Sequence, residues 1–138
     1  MSLSKNSIKL LRQVKLAILA APEFYAQNKW VSNIAPCGTT CCIAGWADFV
    51  VNGKKAHNAR AEQLLVGSWE QWTVSAAWQQ VAVEALGITP DQAERLTDSA
   101  SEWPAGLDDE YGSADGSKGR ALVAAKRIEH FIATGGAE

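Results

Sequence analysis

The chain has 138 residues, 47% of them hydrophobic and 20% charged, with a formal net charge of −2. That length suffices for one domain with a real core, and the composition excludes a disordered chain. The near-neutral charge gives no global attraction to nucleic acid or to a membrane surface. No run approaches the ~18 consecutive apolar residues of a membrane span.

Ser4 to Ala21 reads as a first helix, with Leu11, Val14, Ile18 and Ala21 on one stripe. Lys5, Lys9, Arg12 and Lys15 form its polar side, as a solvated face or a basic contact surface. Pro22 stops the helix. Phe24, Tyr25 and Trp30 are placed to anchor the connection into the core.

All three cysteines fall in one stretch, Cys37-Gly38-Thr39-Thr40-Cys41-Cys42, followed by Ile43-Ala44-Gly45-Trp46. It reads as a loop feeding a buried helix over residues 40–52, with Thr39 or Thr40 as N-cap. Cys42, Trp46, Phe49 and Val50 form the expected apolar stripe, and Gly53 suits the left-handed position that ends the helix. Gly45 inside it costs ~1 kcal/mol against alanine, so it is expected to be buried where another segment, the first or last helix, crosses closely.

Lys54 to Val66 reads as a shorter helix, with His57 near its start as an exposed or capping residue. Trp69 and Trp72 follow in a predicted loop or single turn. Ser75 to Thr97 carries the clearest local signal. Trp78, Val81, Ala82, Ala85 and Leu86 repeat at helical spacing, and Gly87 sits where a terminating glycine belongs. Thr89-Pro90-Asp91-Gln92 then supplies an N-cap, a proline in the first turn, an acid and a capping-box glutamine. This predicts an αα-hairpin. It resembles helix-turn-helix proteins, but its second helix carries Asp91, Glu94 and Asp98 against one Arg95, which a phosphate backbone would repel.

From Glu84 to Asp115 every charged residue except Arg95 is an acid. Asp108-Asp109-Glu110 is expected in a loop after Trp103-Pro104, its spacing out of register for a calcium-binding EF-hand. Residues 112–119 read as flexible linker. A last helix is expected from about Lys118 to Thr134, with Ala121, Ala124, Ile128 and Phe131 inside and Lys126 and Arg127 favouring its C-terminal dipole. No alternating strand pattern stands out. The prediction is an all-α fold: a single helical domain over residues 1–138, of about five main helices.

Three chemistries are open to the cysteines. Cys41 and Cys42 can be small core residues. Cys41 or Cys37 can be a thiolate at a helix N-terminus with His57 as base, His130 being the only other histidine. Cys37, Cys41, Cys42 and a histidine can be tested as zinc ligands, but Cys41 and Cys42 point about 100° apart on a helix, and only one knuckle-like pair exists. No metal or cofactor is therefore expected. Cys37-Gly-Thr-Thr-Cys41 also resembles the nucleophile segment of papain-like proteases over those few residues.

In ordered combination, Trp30, Cys37-Gly38-Thr39 with Cys42-x-Ala44-Gly45-Trp46, Ala85-Leu86-Gly87-Ile88, Gln92-Ala93, Leu96, Trp103-Pro104 and Arg127-Ile128-x-x-Phe131-Ile132 resemble a group of uncharacterised small proteins of bacteria and their phages. That resemblance implies a phage or mobile-element origin and brings no activity with it.

Two functions are expected to compete. One is a non-enzymatic binding module for a protein partner or small anionic ligand, using Cys37, Gly38, Thr39, Thr40, Trp69 and Trp72, where helix N-terminal amides suit an anion. The other is a cysteine-dependent hydrolase or transferase using Cys37 or Cys41 with His57, for which the sequence offers no evident third group to orient the histidine. The clustered cysteines do not form a secreted disulfide framework, so a cytoplasmic location is expected.

Overall fold

Ser4 starts the first helix: its hydroxyl oxygen accepts the Ser7 amide at 3.0 Å, capping α1 (Lys5–Ala20). Leu11, Val14 and Ile18 repeat on one face and are fully buried, while Lys5, Lys9 and Arg12 stay exposed. A computed structural model describes residues 3–25, 31–32, 40–41, 43–66, 71–97 and 100–138. Among these the elements after α1 are a tight turn at Pro22–Phe24, β1 (Val31–Ser32), β2 (Thr40–Cys41), α2 (Ile43–Asn52), α3 (Lys54–Val66), α4 (Gln71–Leu86), α5 (Pro90–Thr97), α6 (Leu107–Ser113) and α7 (Gly116–Ala133). The class is all-α, as the periodicity predicts, with two more helices than the five expected.

The hairpin forms at the expected place and by the expected chemistry. Gly87 ends α4 with φ +67° and bonds its amide to the Val83 carbonyl. Thr89 Oγ1 accepts the Gln92 amide at 3.2 Å, and Gln92 Oε1 accepts the Thr89 amide at 2.9 Å, a complete capping box. Ser7 of α1, itself buried, donates its hydroxyl to the Leu86 carbonyl at 2.6 Å and so ties the first helix to this turn.

Elsewhere the chain corrects the sequence reading. The acidic peak at Asp108–Glu110 is not a loop but the first turn of α6. Leu107 and Tyr111, one helical turn apart, are both buried, and three acids beside the helix N-terminus favour the helix through its dipole. Tyr111 packs edge-on against Trp103 at 5.1 Å and Tyr25 at 6.4 Å. The predicted linker at 112–119 shrinks to Ala114 and Asp115, because α6 runs through Ser113 and α7 starts at Gly116 rather than Lys118. The hairpin's first helix begins at Gln71 rather than Ser75, so Trp72 lies in α4 and not in a loop.

The Cys segment also departs from its reading. Thr40 and Cys41 form β2, antiparallel to β1, with Cys41 opposite Val31 and Thr40 opposite Ser32. The helix therefore starts at Ile43, three residues later than predicted, and Thr40 is a strand residue rather than its cap. In α2 the expected stripe is replaced by a run: Ile43, Ala44, Gly45, Trp46, Ala47 and Asp48 are all buried, while Phe49 and Val50 are only half-buried. Such all-round burial follows from neighbours on several sides. α2 packs against α4 and α1, and Gly45 is buried as expected, on a helix flanked by the first helix.

The helices stack in the order α6, α7, α1, α2, α4, α5. Arg127 ties α7 to α5 across that series: it is 1% exposed and its Nη2 donates to the Arg95 carbonyl at 3.0 Å. It thus serves as an interhelical tie, where the sequence assigned it to the α7 dipole. The buried apolar residues form one connected core, with Trp78, Phe131, Leu11, Ile18 and Ile43 among its largest members.

Candidate functional site

Asp48 is the unexpected centre of the molecule. It lies in the second turn of α2, fully buried, and it gathers three donors. Asn52 Nδ2, one turn on, donates to Oδ1 at 2.7 Å. His57 Nδ1 and Arg60 Nε each lie 3.1 Å from Oδ2. A carboxylate only accepts, so His57 carries its proton on Nδ1 and its tautomer is fixed.

The backbone makes this convergence possible. Gly53 has φ +92°, a conformation that favours glycine, and a Cβ there would meet nothing within 4 Å, so the dihedral rather than space selects it. Its amide bonds the Phe49 carbonyl, closing α2, and its carbonyl accepts the His57 amide, opening α3. One residue therefore turns the chain between two helices, and Asp48 and Asn52 before it face His57 and Arg60 after it.

Burial on its own would raise the Asp48 carboxyl. The hydrogen bonds from His57 and then Asn52, with the charge of Arg60, outweigh it and hold the group below its ordinary value. His57 is 0% exposed, packed edge-on against Phe49 at 5.9 Å and tilted against Trp78 of α4 at 6.0 Å. It is therefore neither exposed nor a cap, as the sequence suggested, but a core residue whose polar edge is matched by a carboxylate. Arg60 differs: its side chain is 37% exposed, so the network reaches solvent through its guanidinium.

Of the β1–β2 pair, β2 packs beside α2 and β1 beside α3. Of the other expected site residues, Thr40 is in β2 and Trp72 in the first turn of α4, while Cys37, Gly38, Thr39 and Trp69 lie outside the described residues. The second histidine, His130, is engaged elsewhere: its Nε2 lies 3.1 Å from Glu138 Oε1. Among the described residues no group of three or more His, Cys, Asp or Glu could hold a metal ion, and no helix is long and apolar enough to cross a membrane.

Asp48, Asn52 and Arg60 escaped the sequence reading. A signal for them existed: Asp48 and Asn52 one turn apart, a single glycine, then His57 and Arg60 nearly one turn apart on the next helix. No family model, curated protein or solved structure matches the chain.

Proposed function

We propose that the protein is a non-enzymatic binding module for a small anionic ligand, with Cys37, Gly38, Thr39, Thr40, Trp69 and Trp72 as its binding residues. The observation that carries this reading is the complete burial of His57 on a buried carboxylate. The histidine nearest the cysteines in sequence is spent on tying α2 to α3, which supports a scaffold role over proton transfer to a substrate. A base inside the core, flanked by Phe49 and Trp78, is poorly placed to meet a leaving group. Titration with inorganic phosphate, followed by tryptophan fluorescence, tests the reading. A saturable change that Trp72→Phe diminishes is expected; a flat titration with phosphate, sulfate and acetate alike overturns it.

One observation favours a second reading. Asp48 at 3.1 Å from His57 Nδ1 is the orienting group that the cysteine-enzyme hypothesis lacked. On this reading Cys41 is the nucleophile, His57 the base and Asp48 the group that fixes the base's tautomer. Iodoacetamide labelling across pH separates the two. The binding-module reading expects thiols that react with an ordinary profile, midpoint near ~8.5, unchanged in His57→Gln. Rapid labelling of Cys41 below neutral pH, lost in His57→Gln while the fold is kept, would instead establish the enzyme.

A further inference from the structure

Helix α1 carries Lys5, Lys9, Arg12 and Lys15 and no acid. Lys5, Lys9, Arg12 and Leu16 recur at i, i+4, i+7 and i+11, which puts them on one line along the helix. That line lies opposite the buried Leu11, Val14 and Ile18, and all four of its residues are exposed, Leu16 to 62%. Among the described residues Lys5 and Lys9 form no ion pair, while Arg12 and Lys15 share a single acid, Glu129 of α7. Four cations against one carboxylate leave this side of the helix positive.

The arrangement works against α1 itself. Like charges one turn apart repel, and a cation in the first turn opposes the positive end of the helix dipole. No acid in that first turn offsets it. The apolar end of the line continues onto a neighbour. α7 packs along α1, and on it Leu122, Lys126 and Glu129 recur at i, i+4 and i+7. Glu129 joins that face to α1 through Lys15 and Arg12, and Leu122 is 51% exposed. The surface is thus cationic at Lys5, Lys9 and Arg12 and apolar at Leu16 and Leu122.

We infer that this surface docks an acidic amphipathic helix of a partner protein, with carboxylates on Lys5, Lys9 and Arg12 and an apolar side chain on Leu16. Charge complementarity sets the sign of the partner, and the pitch of the line sets its shape. Side chains at this spacing on one helix meet the same spacing on another laid along it. A phosphate backbone would satisfy the cations but leave Leu16 in water. An extended anionic bilayer would face a molecule whose net charge is −2 and whose acids crowd between Glu84 and Asp115. A short acidic helix meets the line alone. None of these residues belongs to the binding residues proposed above or to the Asp48 network, so the two readings stand or fall separately.

Fluorescence anisotropy of the full chain with two labelled, alanine-based helical peptides tests the assignment. One carries glutamate at i, i+4 and i+7 and leucine at i+11. The other carries the same residues in reverse order, so that both helix directions are sampled, and lysine-for-glutamate versions serve as controls. Saturable, micromolar binding of at least one acidic peptide is expected at low salt, about tenfold weaker at ~0.15 M salt, with no binding of the lysine versions. Lys9→Glu should weaken binding by about tenfold or more. Leu16→Gln should weaken it by about threefold or more through lost apolar contact. Circular dichroism should be unchanged in both, since each position is exposed. Leu16 has no charge, so its effect separates docking from the plain attraction of a polyanion. Absence of saturation with both acidic peptides overturns the assignment, as does binding that either variant leaves unchanged. Tighter binding of duplex DNA or of phosphatidylserine vesicles than of both peptides overturns the choice of partner.

Discussion

The α4–α5 turn and the α2–α3 corner use the same backbone device. Each joins two helices through a glycine in the left-handed region, Gly87 at φ +67° and Gly53 at φ +92°. They differ in what holds the second helix in place. After Gly87 the work is local and neutral: Thr89 and Gln92, three residues apart, exchange two hydrogen bonds. After Gly53 it is charged and centred on a buried group: Asp48, inside the core, reaches His57 and Arg60, nine and twelve residues on. The first device stabilises a helix end. The second fixes the angle between two helices, and leaves a charge in the core if any partner is lost.

The comparison breaks or holds first on Asp48→Ala. Removing the carboxylate leaves His57 in the core without its acceptor and strands Arg60 and Asn52. Breaking a buried pair by deleting one partner costs about 3–5 kcal/mol, so a large fall in the denaturant midpoint is expected. A variant that melts with wild type would mean the corner is held by packing alone. The pH dependence sharpens the point. Asp48 is held below its ordinary value of 3.8, so the folded state binds that proton less readily than the unfolded chain. Its contribution is therefore complete at pH values above that ordinary value and is lost as pH falls through the lower, folded one. Asp48→Asn should remove this component, giving a flatter stability profile at acid pH.

Next in size is a change that reaches the hairpin turn from outside it. Gly136 has φ +85°, and a Cβ there would come within 2.6 Å of Gln92 Nε2 and 3.0 Å of its Cδ. Gln92 cannot swing away without giving up its bond to the Thr89 amide. Gly136→Ala should therefore cost about 1–3 kcal/mol through combined backbone strain and crowding. Thr89→Ala, which removes only the cap, should cost about 1 kcal/mol. Equal melts for the two variants would mean that Gln92 moves freely and that the turn is independent of the chain that crosses it.

The same contrast explains what could be read from the chain. Gly87, Thr89 and Gln92 act over three to five residues, so their spacing is itself the signal, and the hairpin was legible. So were α1 and α7, whose faces repeat over several turns, and the bounds of α3. α6 was hidden because Asp108-Asp109-Glu110 dominates its composition, while only Leu107 and Tyr111 carry its packing. Asp48 was hidden more deeply: a lone acid on a helix reads as its wet side, and only the turn at Gly53 brings three donors to it. His57 was misread for the same reason, since a histidine's burial depends on a partner set by tertiary geometry. At the candidate site, sequence singled out His57 but not the carboxylate bonded to it.

The smallest expected effect separates distance in sequence from burial. Glu129 of α7 takes Lys15 Nζ at 2.6 Å and Arg12 Nε at 3.4 Å, both more than a hundred residues earlier on α1. By span it is a longer-range link than anything Asp48 makes. It is also 40% exposed, and Arg12 is 55% exposed, so water and salt screen the pair. The Lys15 hydrogen bond, against a burial effect in the opposite sense and with help from Arg12, lowers the Glu129 carboxyl from its ordinary value. Any resulting stability is therefore present above that ordinary value and lost as pH falls through the lower, folded one. Glu129→Gln should cost no more than about 1 kcal/mol at low ionic strength, and less as salt is added. Denaturant melts of this variant and of Asp48→Ala, each at low and high salt, place the two on one scale. If Glu129→Gln proves as damaging as Asp48→Ala, long reach between helices is what matters, and the contrast between a dry and a wet carboxylate fails. If it is small and salt-sensitive while Asp48→Ala is large and salt-insensitive, burial sets the difference between the α2–α3 corner and the rest of the polar surface.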